Sequence, residues 1–185
     1  MKRRVFFVQG GGEGAHDEWD NELVENLRQA LGPRYEILYP NMPDEADPNY
    51  ARWAAALRNE FAKLSDGAIL VGHSIGATIL INALADEAPT FRPGGIFLIS
   101  APFVGDGGWQ SEDIGDMSNI GERLARDIPI HLYHGDQDDT ARLSHLDLFA
   151  KAIPNTVVRR LSDRDHQLNN DLSEVAADIL ASAHD

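Results

Sequence analysis

The apolar run Ala68-Ile69-Leu70-Val71 leads without a break into Gly72-His73-Ser74-Ile75-Gly76, and a second apolar stretch, Ala77 to Ala85, follows at once. The first run has the length of a buried strand and the second reads as a buried helix, with no room for a loop between them. Such a strand–turn–helix forces its middle residue onto a sharp bend at the rim of a sheet. The bend is tight enough that the residues two before and two after the serine are expected to crowd one another, and glycine at 72 and 76 relieves this. A helix that starts there aims its N-terminal dipole at the serine, where negative charge is favoured. A serine that merely capped a core helix would require neither glycine.

The rest of the chain repeats the alternation. Short β-branched or apolar runs at Arg4 to Val8, Glu36 to Tyr39, Ala68 to Val71, Gly95 to Ile99, Ile130 to Tyr133 and Thr156 to Arg160 predict strands. Helical patterns lie between and after them, at Glu18 to Leu31, Tyr50 to Leu64, Ile75 to Ala85, Ala141 to Ala152 and Asp171 to Ala181. In the second of these, Trp53, Ala54, Leu57, Phe61 and Leu64 fall on one stripe. Alternation of this kind predicts an α/β fold, a three-layer α/β/α sandwich around a mostly parallel sheet. Several strands read as unbroken apolar runs, as strands covered on both faces do. The 185 residues suffice for one domain and fall short of two full cores.

One segment breaks the rhythm. Residues 102–127 hold Phe103, five glycines and Trp109. A connection of that length is either a lid or binding loop over a site, or a surface excursion with a short helix near Ile120 to Arg126.

Composition narrows the function. Asp and Glu number 30 against 16 Lys and Arg, a net charge of −14. Such a surface repels phosphate backbones and anionic lipid, so neither nucleic acid nor a membrane is an expected partner. With no cysteine, the chain has no disulfide, thiol nucleophile or thiolate-bound metal. Met1-Lys2-Arg3-Arg4 resembles the basic start of an export signal, but the apolar run Val5 to Val8 is too short for one. The most apolar stretch, Ala68 to Ile81, is broken by His73 and Ser74 and too short to span a bilayer. A cytoplasmic protein is expected.

A serine at its ordinary pKa is a weak nucleophile and requires a base, itself oriented by a carboxylate. After a bend of this kind the partners are expected in the order acid, then histidine, each beyond a later strand. His134-Gly135-Asp136-Gln137-Asp138 leaves the strand at Ile130 to Tyr133, and Leu161 to His166 leaves the next one. His166 is therefore the candidate base. His145 falls inside a helix and His184 at the terminus. Asp138 is the candidate acid by its spacing, with Asp136 and Asp139 as competitors; Asp163 and Asp165 read as solvated loop charge. Attack on a carbonyl needs an anion site, for which the Ile75 N–H and a glycine of Gln9-Gly10-Gly11-Gly12-Glu13-Gly14, best Gly11, are the candidates.

The same glycines fit a loose dinucleotide fingerprint, Gly10-x-Gly12-x-x-Ala15, which leaves a flavodoxin-like nucleotide binder as an alternative. That fingerprint also wants an acid ending the second strand, and the strand ends Leu38-Tyr39-Pro40 instead. No metal site is expected: His131 and His134 sit three apart on a strand and face opposite sides.

With bend, acid and histidine in order, the chain resembles the α/β-hydrolase superfamily over nearly its whole length, and by size its small, cap-less serine hydrolases typified by retinoblastoma-binding protein nine. The resemblance implies a minimal six-stranded sheet of order 2-1-3-4-5-6 and a triad of Ser74, Asp138 and His166. Three departures stand out: Gln9-Gly10 where many members have His-Gly, Asp139 for a common proline, and Asp165 for the glycine before the histidine. The expectation is a cofactor-free serine hydrolase acting on a small-molecule ester or related acyl bond, with Trp19, Phe103 and Trp109 as candidate pocket walls. Some members are known mainly as binding proteins, so an interaction module with vestigial catalysis is the other alternative.

Overall fold

The central apolar runs, Val5 to Val8, Ile69 to Val71, Gly95 to Ile99 and Ile130 to Tyr133, become strands because each is buried on both faces, where β-branched and aromatic side chains pack well against a pleated surface, whereas the outer runs near Glu36 and Val157 are partly exposed. A computed structural model describes residues 2–182; His184 lies outside the described residues. Its strands are β1 (Arg3–Val8), β2 (Tyr35–Leu38), β3 (Ile69–His73), β4 (Gly95–Ile99), β5 (Ile130–Gly135) and β6 (Val157–Leu161). They form one sheet of order β2-β1-β3-β4-β5-β6, and every pairing is parallel.

Helices cover both faces. On one side lie α1 (Asp20–Leu31) and α6 (Ser173–Ala181). Leu23, Leu27, Val175 and Ile179 pack there on Val5, Phe7, Val71 and Phe97. On the other lie α2 (Tyr50–Phe61), α3 (Ser74–Asp86), the short α4 (Ile120–Arg123) and α5 (Ser144–Ala152). Trp53, Leu57, Leu80 and Phe149 meet Phe6, Leu70, Leu98 and Leu132. The predicted stripe of the second helix is buried at Trp53, Ala54, Leu57 and Phe61.

Helix starts differ from expectation where a side chain takes the first N–H groups. The Asp138 carboxylate accepts the N–H groups of Thr140 and Ala141, which delays α5 to Ser144. Asp171 does the same for Ser173 at α6. A π-helical turn, Ala15–Trp19, precedes α1. Among the described residues no helix is long and apolar enough to cross a membrane.

Candidate active site

β3 runs through Gly72 and His73, and α3 begins on Ser74 itself, so strand and helix meet at one residue. Ser74 takes up the whole reversal, with φ of 53°, a conformation unfavourable by about 1–3 kcal/mol for a residue with a Cβ. The two glycines are required, but not by each other as the sequence suggests. A Cβ on Gly72 would lie 2.6 Å from Ala77 Cα, and one on Gly76 would lie 1.9 Å from the Gln9 carbonyl oxygen. Gly76 thus lets the helix touch the end of β1.

Three side chains from distant segments converge on the bend. Ser74 Oγ lies 2.8 Å from His166 Nε2, and His166 Nδ1 lies 2.7 Å from Asp138 Oδ2. A carboxylate only accepts, so the Nδ1 proton points to Asp138 and Nε2 is free to accept from the serine hydroxyl. Asp138 is buried, and Asp136 and Asp139 on either side are exposed. Asp136 turns away to accept the Asp163 N–H. Burial alone would raise the Asp138 pKa, but hydrogen bonds from His134, His166 and the Ala141 N–H, with the charge of His166, hold it well below the usual carboxylate range. His134, whose role the sequence did not suggest, lies with Nε2 3.1 Å from Asp138 Oδ2 and also donates to the Ala141 carbonyl.

The group opens into a cavity of 850 Å³ whose walls include Gly11, Trp19, Ser74, Ile75, Trp109 and His166. Gly11 and Ile75 are neighbours: a Cβ on Gly11 would lie 2.8 Å from Ile75 Cγ2. The flanking loop N–H groups are taken, Gly10 by Asp20 and Gly12 by the Glu45 carbonyl. The Glu45 carboxylate further accepts from Gly14 and His16. A side-chain anion of the protein thus fills the cradle that a bound phosphate would need, which disfavours the nucleotide alternative.

Residues 102–127 are largely exposed but pinned to the core at intervals. Phe103, Val104, Ile114, Met117 and Ile120 are buried, and the Asp113 carboxylate accepts the Tyr50 N–H at the start of α2. Trp109 and Ile114 face the cavity. Phe103 does not line it: its ring packs edge-on to Phe149, 5.3 Å away, in the core under α5. Residue type alone had suggested a pocket wall there; burial against α5 decides otherwise.

Asp20 and His73 form a pair that no local pattern signals, because they are 53 positions apart. His73 Nδ1 lies 2.9 Å from Asp20 Oδ2, and both side chains are buried behind the serine.

A parallel sheet with a left-handed serine between strand and helix, facing a histidine–aspartate pair, defines a protein of the elbow-serine class. The alpha/beta hydrolase family model matches residues 5–183, and the chain belongs to that family. No curated protein sequence matches it. Among solved structures it is similar to a serine hydrolase of carbazole degradation, CarC, with a TM-score of 0.75 and 13% identity, covering 98% of this chain and 91% of that one. A bromoperoxidase from Bacillus anthracis gives a TM-score of 0.71 at 16% identity, with 100% and 93% covered. A serine hydrolase without lid from Xanthomonas campestris gives 0.65 at 14%, with 98% and 80% covered. At these identities the structural likeness speaks for the fold.

Proposed function

We propose that the protein is a serine hydrolase that cleaves a carboxylic ester or related acyl bond through an acyl-enzyme. The observation that carries this reading is the relay of 2.8 Å and 2.7 Å from Ser74 through His166 to Asp138, open to a cavity. His166 Nε2 takes the hydroxyl proton as Ser74 Oγ attacks the carbonyl carbon. The carbonyl oxygen becomes an oxyanion, held by the N–H groups of Ile75 and Gly11; each such donor is worth a few kcal/mol, about 3, in the transition state. The imidazolium is stabilised by Asp138 and passes its proton to the leaving group. Water, activated by the same imidazole, then attacks the acyl-enzyme and frees Ser74. Trp19 and Trp109 flank the bound acyl or alcohol group.

A fluorophosphonate probe tests this. Covalent labelling that is abolished in Ser74→Ala is the expected result, followed by turnover of short chromogenic acyl esters. A well-folded protein that neither labels nor turns over any of them overturns the reading and favours the interaction module.

A further inference from the structure

The buried pair behind the serine is not consumed by the proposed reaction, and its partners fix where its protons are. Asp20, 1% exposed, accepts on both oxygens: the Gly10 N–H at 2.7 Å on Oδ2, and Gln167 Nε2 at 3.1 Å on Oδ1. Despite burial, those donated hydrogen bonds, together with His73, hold the Asp20 pKa down, so the carboxyl is ionised and His73 Nδ1, 2.9 Å from Oδ2, is a donor. His73 Nε2 lies 3.0 Å from the main-chain carbonyl of His166, which can only accept. An imidazole donating from both nitrogens is an imidazolium. The titratable groups facing it are Asp20, Asp138 at longer range, and the ring of His166, whose centroid is 5.1 Å away. Burial would strip the proton from His73, but attraction to Asp20 outweighs it and raises the His73 pKa. Burial likewise opposes the Asp20 charge, and His73 with the donated hydrogen bonds holds it down.

Each contact grips a different segment of the centre. Gly10 leads into Gly11, the carbonyl belongs to His166, and His73 is bonded to Ser74. We propose that Asp20 and His73 are positioning residues, an ion pair that clamps the His166 main chain and the Gly10–Gly11 loop to the strand bearing the nucleophile. The proposal rests on the serine-hydrolase reading above. His73 and Asp20 border the cavity, but their side chains are only 3% and 2% exposed, so they act through the groups they hold.

Asp20→Asn removes the counter-charge, so His73 gives up a proton and has one N–H for two acceptors. The base or the loop is then released, and a shift of about 1 Å in such a group slows chemistry by about 100-fold. The expected result is a kcat for p-nitrophenyl acetate, and a fluorophosphonate labelling rate, lower by about 10- to 100-fold with KM within about twofold. In nitrogen-15 NMR of histidine-labelled wild type at neutral pH, His73 shows both ring nitrogens protonated, and Asp20→Asn converts it to a neutral tautomer. A folded Asp20→Asn protein that labels and turns over like wild type overturns the proposal, as does a neutral His73 in wild type. If Asp20→Asn does not fold, His73→Gln decides by the same kinetics, with wild-type NMR unaffected. A wild type that shows the imidazolium but no labelling or turnover fails the hydrolase reading instead, which separates the two failures.

Discussion

Gly76→Ala puts the contact between bend and first loop to a direct test. The added Cβ would sit 1.9 Å from the Gln9 carbonyl oxygen, whereas real Cβ atoms essentially never approach within 3.0 Å, so helix and loop must part by about 1 Å. Gln9 cannot retreat cheaply. It is fully buried, and its side chain accepts the Met42 N–H. Overpacking of this kind costs about 3 kcal/mol, the upper end for inserted groups. With a urea slope of about 2 kcal/mol per molar, the unfolding midpoint falls by about 1.5 M. Because Gln9 leads directly into Gly10 and Gly11, the labelling rate of the folded fraction falls as well, by about 100-fold for a 1 Å displacement. Gly115→Ala is the control: nothing lies within 4 Å of its added Cβ, and its midpoint stays level or rises slightly. A Gly76→Ala midpoint within about 0.5 M of wild type, with normal labelling, would refute the reasoning.

Four further outcomes are expected. Asp138→Asn lowers kcat/KM by about 10³- to 10⁴-fold, since the amide favours the wrong imidazole tautomer. The depressed pKa of Asp138 stabilises the fold fully above the unfolded value of about 3.9 and is lost as pH falls from there toward the folded value; the stability gap between wild type and Asp138→Asn therefore shifts against wild type as urea midpoints are taken from pH 6 down to pH 3. Glu13, Asp113, Asp139 and Asp165 line the cavity, whose lining among the described residues holds no Lys or Arg, and each repels an anion ~8 Å away by about 0.5 kcal/mol before screening. A cationic acyl ester should exceed its anionic isostere in kcat/KM by about tenfold at 0.15 M salt, and the ratio should approach one at 1 M. Gly135→Ala, whose Cβ would lie 2.1 Å from the Arg164 carbonyl oxygen, lifts the base loop and lowers the labelling rate by about 100-fold.

What the sequence reveals and what it hides divide along range. The strands and the Trp53–Phe61 stripe are legible because burial imposes a local period on residue type. Ser74 is legible because its bend needs two glycines and two apolar flanks at fixed short spacing. The choice of Asp138 over Asp136 and Asp139 rests on spacing alone, since what distinguishes them is the direction each carboxylate turns, toward the Ala141 N–H or the Asp163 N–H. Glu45 filling the glycine loop, and Asp20 pairing with His73, are contacts across 31 and 53 positions that leave no pattern in a single sequence. Phe103 shows the converse, an aromatic whose type fits a pocket and whose packing belongs to the core.

The sheet order explains why the base loop takes the path it does. β3, which leads directly into Ser74, and β6, which precedes His166, are separated by β4 and β5. At about 4.8 Å per strand that gap is ~14 Å, too far for an imidazole to reach from above its own strand. The loop must fold back over the end of β5, and the close approach of Arg164 to Gly135 is that crossing. Main-chain bonds from Asp136 to Leu161 and from Gln137 to Arg164 lace the two loops together there. The acid therefore arrives on the strand that the base loop has to cross, which lets Asp138 meet His166 at Nδ1 while Ser74 meets it at Nε2. Aspartate and histidine loops on adjacent strands, with glycine at the crossing, follow from the need to span two strands with a short chain.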